Sequence, residues 1–416
     1  MNAQEMIAQE MIAQEMDAQD ELGGFRERFH LPKDVIYLCG HSLGLQPTSV
    51  RTYVEQELED WEKLGVEGHF HARNPWMPYH RLATGKMAHV VGALPSEVVV
   101  MNSLTVNLHL MMVSFYRPIA PRSKILIEKG AFPSDQYAVR SQILYHGFDP
   151  KTSLMEVSGA EIVNAIESEG DSIALVLPGG VNYSTGEFYH LEAITRAGHD
   201  KGCVVGFDLA HAAGNVPLKL HDWGPDFAVW CTYKYLNSGP GSLGGCFVHE
   251  RHARPGQIPR FAGWWGHEEE SRFRMEPDFH PMPGAEGWQL SNPSILSLAA
   301  VRASLDLFEE ARMDRLRAKS EALTGYLETL LHGRVDIVTP RDPARRGAQL
   351  SIRMPAGGRS ICDRLAEKGV ICDWREPDIL RVAPVPLYNS FRDVFQFAQR
   401  FCAMLEVGSL RPVPLT

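Results

Sequence analysis

An α/β fold with a mainly parallel sheet, followed by a smaller α+β domain, is predicted by three features of this 416-residue sequence. Short apolar runs alternate with longer helical segments from Val35 onward, and strands alternating with helices imply a parallel sheet covered on both faces. One of those runs ends in an acid and a histidine, at the place where open α/β sheets bind ligands. Near residue 310 the rhythm changes to shorter strands and shorter helices, which marks the second domain.

In chain order, residues 1–30 read as an N-terminal tail or helix. Ala-Gln-Glu-Met repeats there every five residues, each step advancing about 140° on a helix, so Met6, Met11 and Met16 do not share one face. Residues 1–20 are therefore expected to be a frayed helix or tail. The large domain spans 31–310. Its strands are expected at Val98–Met101, Lys124–Glu128, Ser172–Leu177, Val204–Phe207, Phe227–Thr232 and Gly245–His249. Helices are expected between them, among them Val106–Phe115, Gly159–Glu167 and Leu191–Lys201. A long helical stretch rich in Leu, Ala, Arg and Glu runs from Ser294 to Leu331 and crosses the boundary. The small domain, 311–416, then carries strands near Val335–Thr339, Gln349–Met354 and Ile379–Ala383, with helices near Ser360–Lys368 and Phe391–Leu405.

Composition excludes several classes. Lys plus Arg is 41 against 51 for Asp plus Glu, a net charge of −10, which opposes non-specific nucleic-acid binding. Ordinary Gly, Pro and apolar content excludes collagen-like and disordered chains. The seven cysteines, Cys39, Cys203, Cys231, Cys246, Cys362, Cys372 and Cys402, contain no C-x-x-C pair. A disulfide framework or cysteine zinc site is not expected, and a reducing cytoplasm fits. No signal peptide and no apolar run of membrane-spanning length is expected.

Two segments carry chemistry. Val204-Val205-Gly206-Phe207-Asp208-Leu209-Ala210-His211 places Asp208 and His211 at a strand end. A ligand contact and a helix cap are equally open readings of Asp208 from this segment alone. The next strand, Phe227 to Thr232, runs into Tyr233 and Lys234. Apolar and aromatic flanks desolvate such a lysine and make it a usable amine. Pyridoxal phosphate (PLP) needs an amine for attachment and a carboxylate against its pyridine nitrogen. Asp208 and Lys234 lie one strand apart and supply both. Phosphate is expected at the helix start Asn102–Asn107, where Ser103 and Thr105 offer hydroxyls. Phe132-Pro133-Ser134-Asp135 follows the strand Lys124–Glu128; an aromatic there either stacks on a cofactor ring or packs in the core. Gly239–Gly244 spells G-x-G-x-x-G but leads into a strand, so a dinucleotide site is rejected. His249-Glu250-Arg251-His252 is one residue short of the zinc-protease helix motif, and no metal is expected. His69 and His71 read by default as surface or packing residues.

With these segments in view, the chain resembles the kynureninase family of PLP fold type I, the aspartate aminotransferase-like superfamily. The resemblance runs from Tyr37 to Leu405. It is carried by residues 40–47, 104–110, 132–135, 206–212, 233–237, 263–267, 291–293 and 381–391. It implies a seven-stranded, mainly parallel sheet and a homodimer with its site at the interface. It implies that Lys234 carries the cofactor and Asp208 holds its pyridine nitrogen. Phe132 stacks on the ring, Leu104, Thr105 and Ser134 belong to the cofactor-binding set, and Tyr233 stands beside the phosphate with a proton-transfer role. Asp135 and His211 line the cofactor pocket. Gly179 stands where the family often has a polar side chain, which removes one cofactor contact. Trp264 and Asn292 reach the site of the other subunit. Arg381 clamps the substrate carboxylate, while Ser42, His69 and Asn292 face the substrate. His41 stands where the family has Asn.

The implied reaction is hydrolytic Cβ–Cγ cleavage of L-kynurenine or 3-hydroxy-L-kynurenine to an anthranilate and L-alanine. His69, Ser291 and Asn292 resemble the polar set of relatives that accept the 3-hydroxylated substrate. The alternatives are another PLP enzyme of this fold (a cysteine desulfurase or an aminotransferase), a non-catalytic PLP-fold protein, and a metal hydrolase. A desulfurase needs a cysteine on a mobile loop, whereas Asp373–Asp378 has none and Cys362 reads as helical.

Overall fold

A computed structural model describes residues 3–253, 258–355 and 357–408. The chain divides into two units, one formed by 49–183 and 188–309, the other by 1–48, 184–187 and 310–416.

The first unit is built on a seven-stranded sheet. Its order is Val98–Met101, Gly244–Val248, Phe227–Cys231, Val204–Asp208, Ile173–Val176, Lys124–Glu128 and Leu154–Val157. The strand Gly244–Val248 runs antiparallel to both neighbours, and the other pairings are parallel. The central strands are buried along almost their whole length, which is why they read as continuous apolar runs without alternation. Two glycines admit large rings into this core. A Cβ on Gly206 would lie 2.2 Å from the Phe227 ring, and one on Gly245 equally close to Trp230. The expected strands all form, with ends shifted by a residue or two. The edge strand Leu154–Val157 escaped the sequence reading because it is short and only partly buried.

Asp226 ties the strand starts together. Its carboxylate accepts from the Val205 amide at 2.7 Å, from Arg251 at 2.8 Å and lies 3.1 and 2.7 Å from the rings of His199 and His252. Its backbone oxygen accepts from the His249 amide. The register of the strands that end at Asp208 and lead to Lys234 is thus locked from their opposite ends.

The second unit packs the antiparallel strands Asp373–Arg375, Ile379–Val382, Leu350–Arg353 and Asp336–Ile337 beside helices. Its core joins Leu350, Ile352, Leu380 and Val382 to Leu323, Leu327, Phe397 and Phe401. The helical stretch from residue 294 is two helices, Ile295–Ala311 and Met313–Leu331, separated at Arg312, whose φ is 65°.

At the N-terminus, where a frayed helix or tail is expected, a helix forms and is packed rather than frayed. Ala3–Ala18 is a helix docked in the second unit. Ala13 is fully buried, Met16 packs on the core, and the Gln9 carbonyl accepts from the Tyr326 hydroxyl. Met6, Gln9, Ala13, Met16 and Asp20 are buried or half-buried at steps of three and four, so a helical stripe exists that the five-residue repeat disguises. Asp17 accepts from the Phe391 and Arg392 amides, capping the helix Phe391–Gly408 from outside. Replacing Asp17 with Ala is expected to destabilise the fold by about 1 kcal/mol, read as a shift in denaturant midpoint.

Candidate active site

Strand ends and helix starts of the first unit meet at one cavity. It is lined by Leu104, Thr105, Glu128, Phe132, Ser134, Asp135, Gly179, Val181, Tyr183, Asp208, Ala210, His211, Tyr233 and Lys234. Ten of the residues singled out in the sequence are thereby brought together.

Asp208 ends its strand and is buried. The helix-cap reading is not met, because residues 210–215 form turns: its Oδ1 accepts from the Ala210 amide at 2.7 Å within such a turn, and Asp208 lines the cavity. Asp135 lies beside it in the first turn of the helix Pro133–Tyr145. Burial, then the charges of Asp208 and Glu128, hold the Asp135 carboxyl well above its ordinary range. Burial also raises Asp208. Neighbouring buried carboxyls cannot both ionise cheaply, which favours the neutral form of Asp135.

Lys234 is half-buried in the turn after Phe227–Cys231. Its Nζ lies 5.9 Å from the Phe132 ring centre and 5.9 Å from that of Tyr233. Burial raises the Tyr233 phenol above its usual value, so it is a proton donor at neutral pH. Phe132 is 44% exposed, which decides against a core role and leaves a ring available for stacking. Its edge contact is with Tyr183, at 5.2 Å between centres.

Two helix N-termini converge on the other wall. The Thr105 and Ser134 hydroxyls are 3.0 Å apart, one in the first turn of Leu104–Phe115 and one in that of Pro133–Tyr145. Two hydroxyls and the positive ends of two helix dipoles suit this wall to an anion such as phosphate. Gly244 permits the close approach, since a Cβ there would sit 3.2 Å from the Leu104 amide. Ser103 makes no capping bond with its side chain and does not line the cavity.

Glu128 was missed in the sequence, although it ends an apolar strand just as Asp208 does. Its carboxyl accepts from the Gly179 amide at 3.0 Å, and a Cβ on Gly179 would stand 3.0 Å from Glu128 Oε1. A polar side chain thus stands against Gly179 from a neighbouring strand. Burial pushes the Glu128 carboxyl up to about 7.

Five predicted residues do not line this cavity. His69 is half-buried, with Nδ1 3.0 Å from the Val66 carbonyl and its ring edge-on to Trp76. Trp264 is 42% exposed and donates its indole N–H to the Arg272 carbonyl at 3.2 Å. Asn292 is exposed. Ser42 and Arg381 belong to the second unit. Ser42 is half-buried and donates its amide to the Cys39 carbonyl. Arg381 is fully buried and grips Asp373 with both nitrogens, Nε to Oδ1 at 3.2 Å and a terminal nitrogen to Oδ2 at 2.7 Å. His41, also buried, stands 3.8 Å from the same carboxylate.

Comparison with known proteins decides the family. Residues 316–401 match the family described as the kynureninase C-terminal domain. The kynureninase of Koribacter versatilis is 64% identical over 404 residues, covering 93% of this chain and 95% of that one. The kynureninase of Myxococcus xanthus is 58% identical over 398 residues, covering 91% and 93%. The chain belongs to the kynureninase family. Among solved structures, the apo cysteine desulfurase of Thermococcus onnurineus NA1 superposes with a TM-score of 0.75 at 17% identity, over 92% of this chain and 97% of that one. A mutant of C-DES with glycine covalently linked to its PLP cofactor gives 0.72 at 18% identity, over 90% and 98%. These two likenesses establish the fold, while the kynureninase relatives separate the chain from the desulfurases that share it. In line with that separation, Cys362 lies within the helix Gly358–Glu367.

The residues present fit PLP. Asp135 Oδ1 is buried without a hydrogen-bond partner among the described residues, beside an acid able to hold a pyridinium. A phosphate cradle, an exposed aromatic face and a lysine surround the same space.

Proposed function

We propose that this kynureninase-family enzyme, a PLP-dependent hydrolase of C–C bonds, prefers 3-hydroxy-L-kynurenine over L-kynurenine and releases 3-hydroxyanthranilate and L-alanine. The observation that carries the chemistry is the convergence of Lys234, Asp208 and Asp135 on one cavity with the Thr105–Ser134 cradle. When bound, PLP supplies an electron sink for negative charge developing on substrate carbon.

The chain's own residues do the rest. Thr105 and Ser134 hold the phosphate, Phe132 covers the ring, and the Asp208 carboxylate keeps the pyridine nitrogen protonated, with Asp135 beside it. Lys234 moves the proton at the substrate Cα. Tyr233, held neutral by burial and with its ring centre 5.9 Å from that amine, serves in proton transfer. Arg381, oriented by its two bonds to Asp373, receives the substrate carboxylate on its remaining guanidinium N–H groups. Ser42 and His69 complete the substrate side.

The preference for the 3-hydroxyl rests on His69, Ser291 and Asn292, a polar set suited to hydrogen-bond it. Ser291 and Asn292 are exposed, and so are Phe261, Trp264, Phe273 and Met275. Such a surface supports a homodimer in which Trp264 and Asn292 reach the partner's site. No described helix is long and apolar enough to cross a membrane, and we place the enzyme in the cytoplasm. Side-by-side incubation of the PLP-loaded protein with both substrates, following alanine and the anthranilates by mass spectrometry, tests the reading. A kcat/KM ratio above about 10 for the hydroxylated substrate is expected, since a site built around a hydroxyl discriminates strongly. A ratio favouring L-kynurenine rejects the preference, and no alanine from either rejects the reaction.

A further inference from the structure

Away from the cofactor cavity, the sulfurs of Cys362 and Cys372 stand 3.8 Å apart. Cys362 is in the helix Gly358–Glu367, and Cys372 is the single residue between the strands Val370–Ile371 and Asp373–Arg375. Both are half-buried, within reach of a small reagent, whereas Cys203, Cys231, Cys246 and Cys402 are buried. A disulfide requires the sulfurs to close to about 2 Å. The hydrogen bond from Cys372 lowers the pKa of the Cys362 thiol, favouring the nucleophilic thiolate.

The residue after Cys372 gives the pair its consequence. Asp373 holds Arg381 at both nitrogens and lies 3.0 Å from Arg375. Cys39 and His41 complete a group whose ligand atoms lie within 4.8 Å of one another, which invites a metal reading. Two guanidiniums already sit on its one carboxylate, and their charge opposes a cation there.

We propose that Cys362 and Cys372 form a reversible thiol–disulfide site, oxidised by small-molecule disulfides, whose closure shifts Asp373 and weakens the grip of Arg381 on the substrate carboxylate. The second half rests on the reading of Arg381 given above. In the chemistry, the Cys362 thiolate attacks one sulfur of the small disulfide and releases one small thiol. Cys372 then loses its proton to solvent and attacks the Cys362 sulfur, releasing the second thiol. The protein pair loses two electrons, and the small disulfide gains them.

The test uses the holoenzyme incubated with oxidised glutathione, blocked with N-ethylmaleimide and digested with trypsin without reductant. Cleavage after Arg359, Arg364, Lys368 and Arg375 leaves the two cysteines on separate peptides, 360–364 and 369–375. These peptides are expected to appear joined and to separate with dithiothreitol. In the oxidised enzyme KM should rise about fivefold or more while kcat moves less. Cys362→Ser should abolish both the joined peptide and the KM response, and Cys372→Ser serves equally if the first variant does not fold. No joined peptide at any glutathione ratio overturns the site. A joined peptide with unchanged KM overturns its coupling to Arg381. Arg381→Lys settles the underlying reading separately: an unchanged KM in that variant removes the carboxylate clamp and leaves the cross-link result standing.

Discussion

Lys234→Ala is expected to lower kcat by roughly 10²–10⁴-fold, the range for loss of a positioned proton-transfer group. The cavity explains why the loss should be confined to chemistry. On the reading proposed above, Thr105, Ser134, Phe132, Asp135 and Asp208 would hold other parts of the cofactor, and they line the cavity from elements other than the turn that carries the lysine. The variant should therefore still take up PLP, now without covalent attachment. Borohydride treatment followed by peptide mass spectrometry reads this directly. The cofactor should be fixed to a peptide containing residue 234 in the parent protein and to none in the variant. Cofactor fixed to a different lysine in the parent protein would remove Lys234 from its role.

Asp226→Ala is expected to cost about 3–5 kcal/mol of stability, as for breaking one side of a buried charge network. The Val205 amide would lose its acceptor, and Arg251 would lose its counter-charge. Burial alone would raise the Asp226 carboxyl, but the His199 and His252 hydrogen bonds and the Arg251 charge hold it far below the usual carboxylate range. A depressed folded-state pKa stabilises above the unfolded value of about 4, and that contribution fades as pH falls below it. Denaturant midpoints should therefore drop more steeply in the parent protein than in Asp226→Ala between about pH 4 and pH 2. Parallel pH profiles would show that Asp226 is not the titrating group. Because Asp226 sits at the strand starts, activity at neutral pH should survive in whatever fraction stays folded.

The sequence made Asp208 and Lys234 legible because each follows an apolar strand, and strand ends are where this architecture gathers ligands. Glu128 carries the same signature and was passed over. Its partner, the Gly179 amide, lies on a segment 51 residues away and leaves no trace in local pattern. The pairing of Thr105 with Ser134 likewise depends on two helices converging across the sheet, which spacing cannot show. At the N-terminus the obvious repeat misled: the docked face follows steps of three and four through Ala13, while the eye follows steps of five. Arg381 could be named by resemblance, yet its hold on Asp373 follows from an antiparallel register that pairs those two residues directly.

The one antiparallel strand of the large sheet, Gly244–Val248, has a bearing on assembly of the fold. It returns directly beside Phe227–Cys231, so Lys234 lies in a hairpin connection of 12 residues, 232–243. Closing so short a loop costs little chain entropy and is fast compared with forming parallel crossovers. Asp135 and Asp208, by contrast, are 73 positions apart and meet only when several crossovers have wound into place. The lysine is therefore fixed by a local event and its acidic partners by a global one, and the cofactor's full set of contacts exists only in the finished sheet. Bound PLP consequently rewards complete folding over partial folding, as any ligand specific for the native state does.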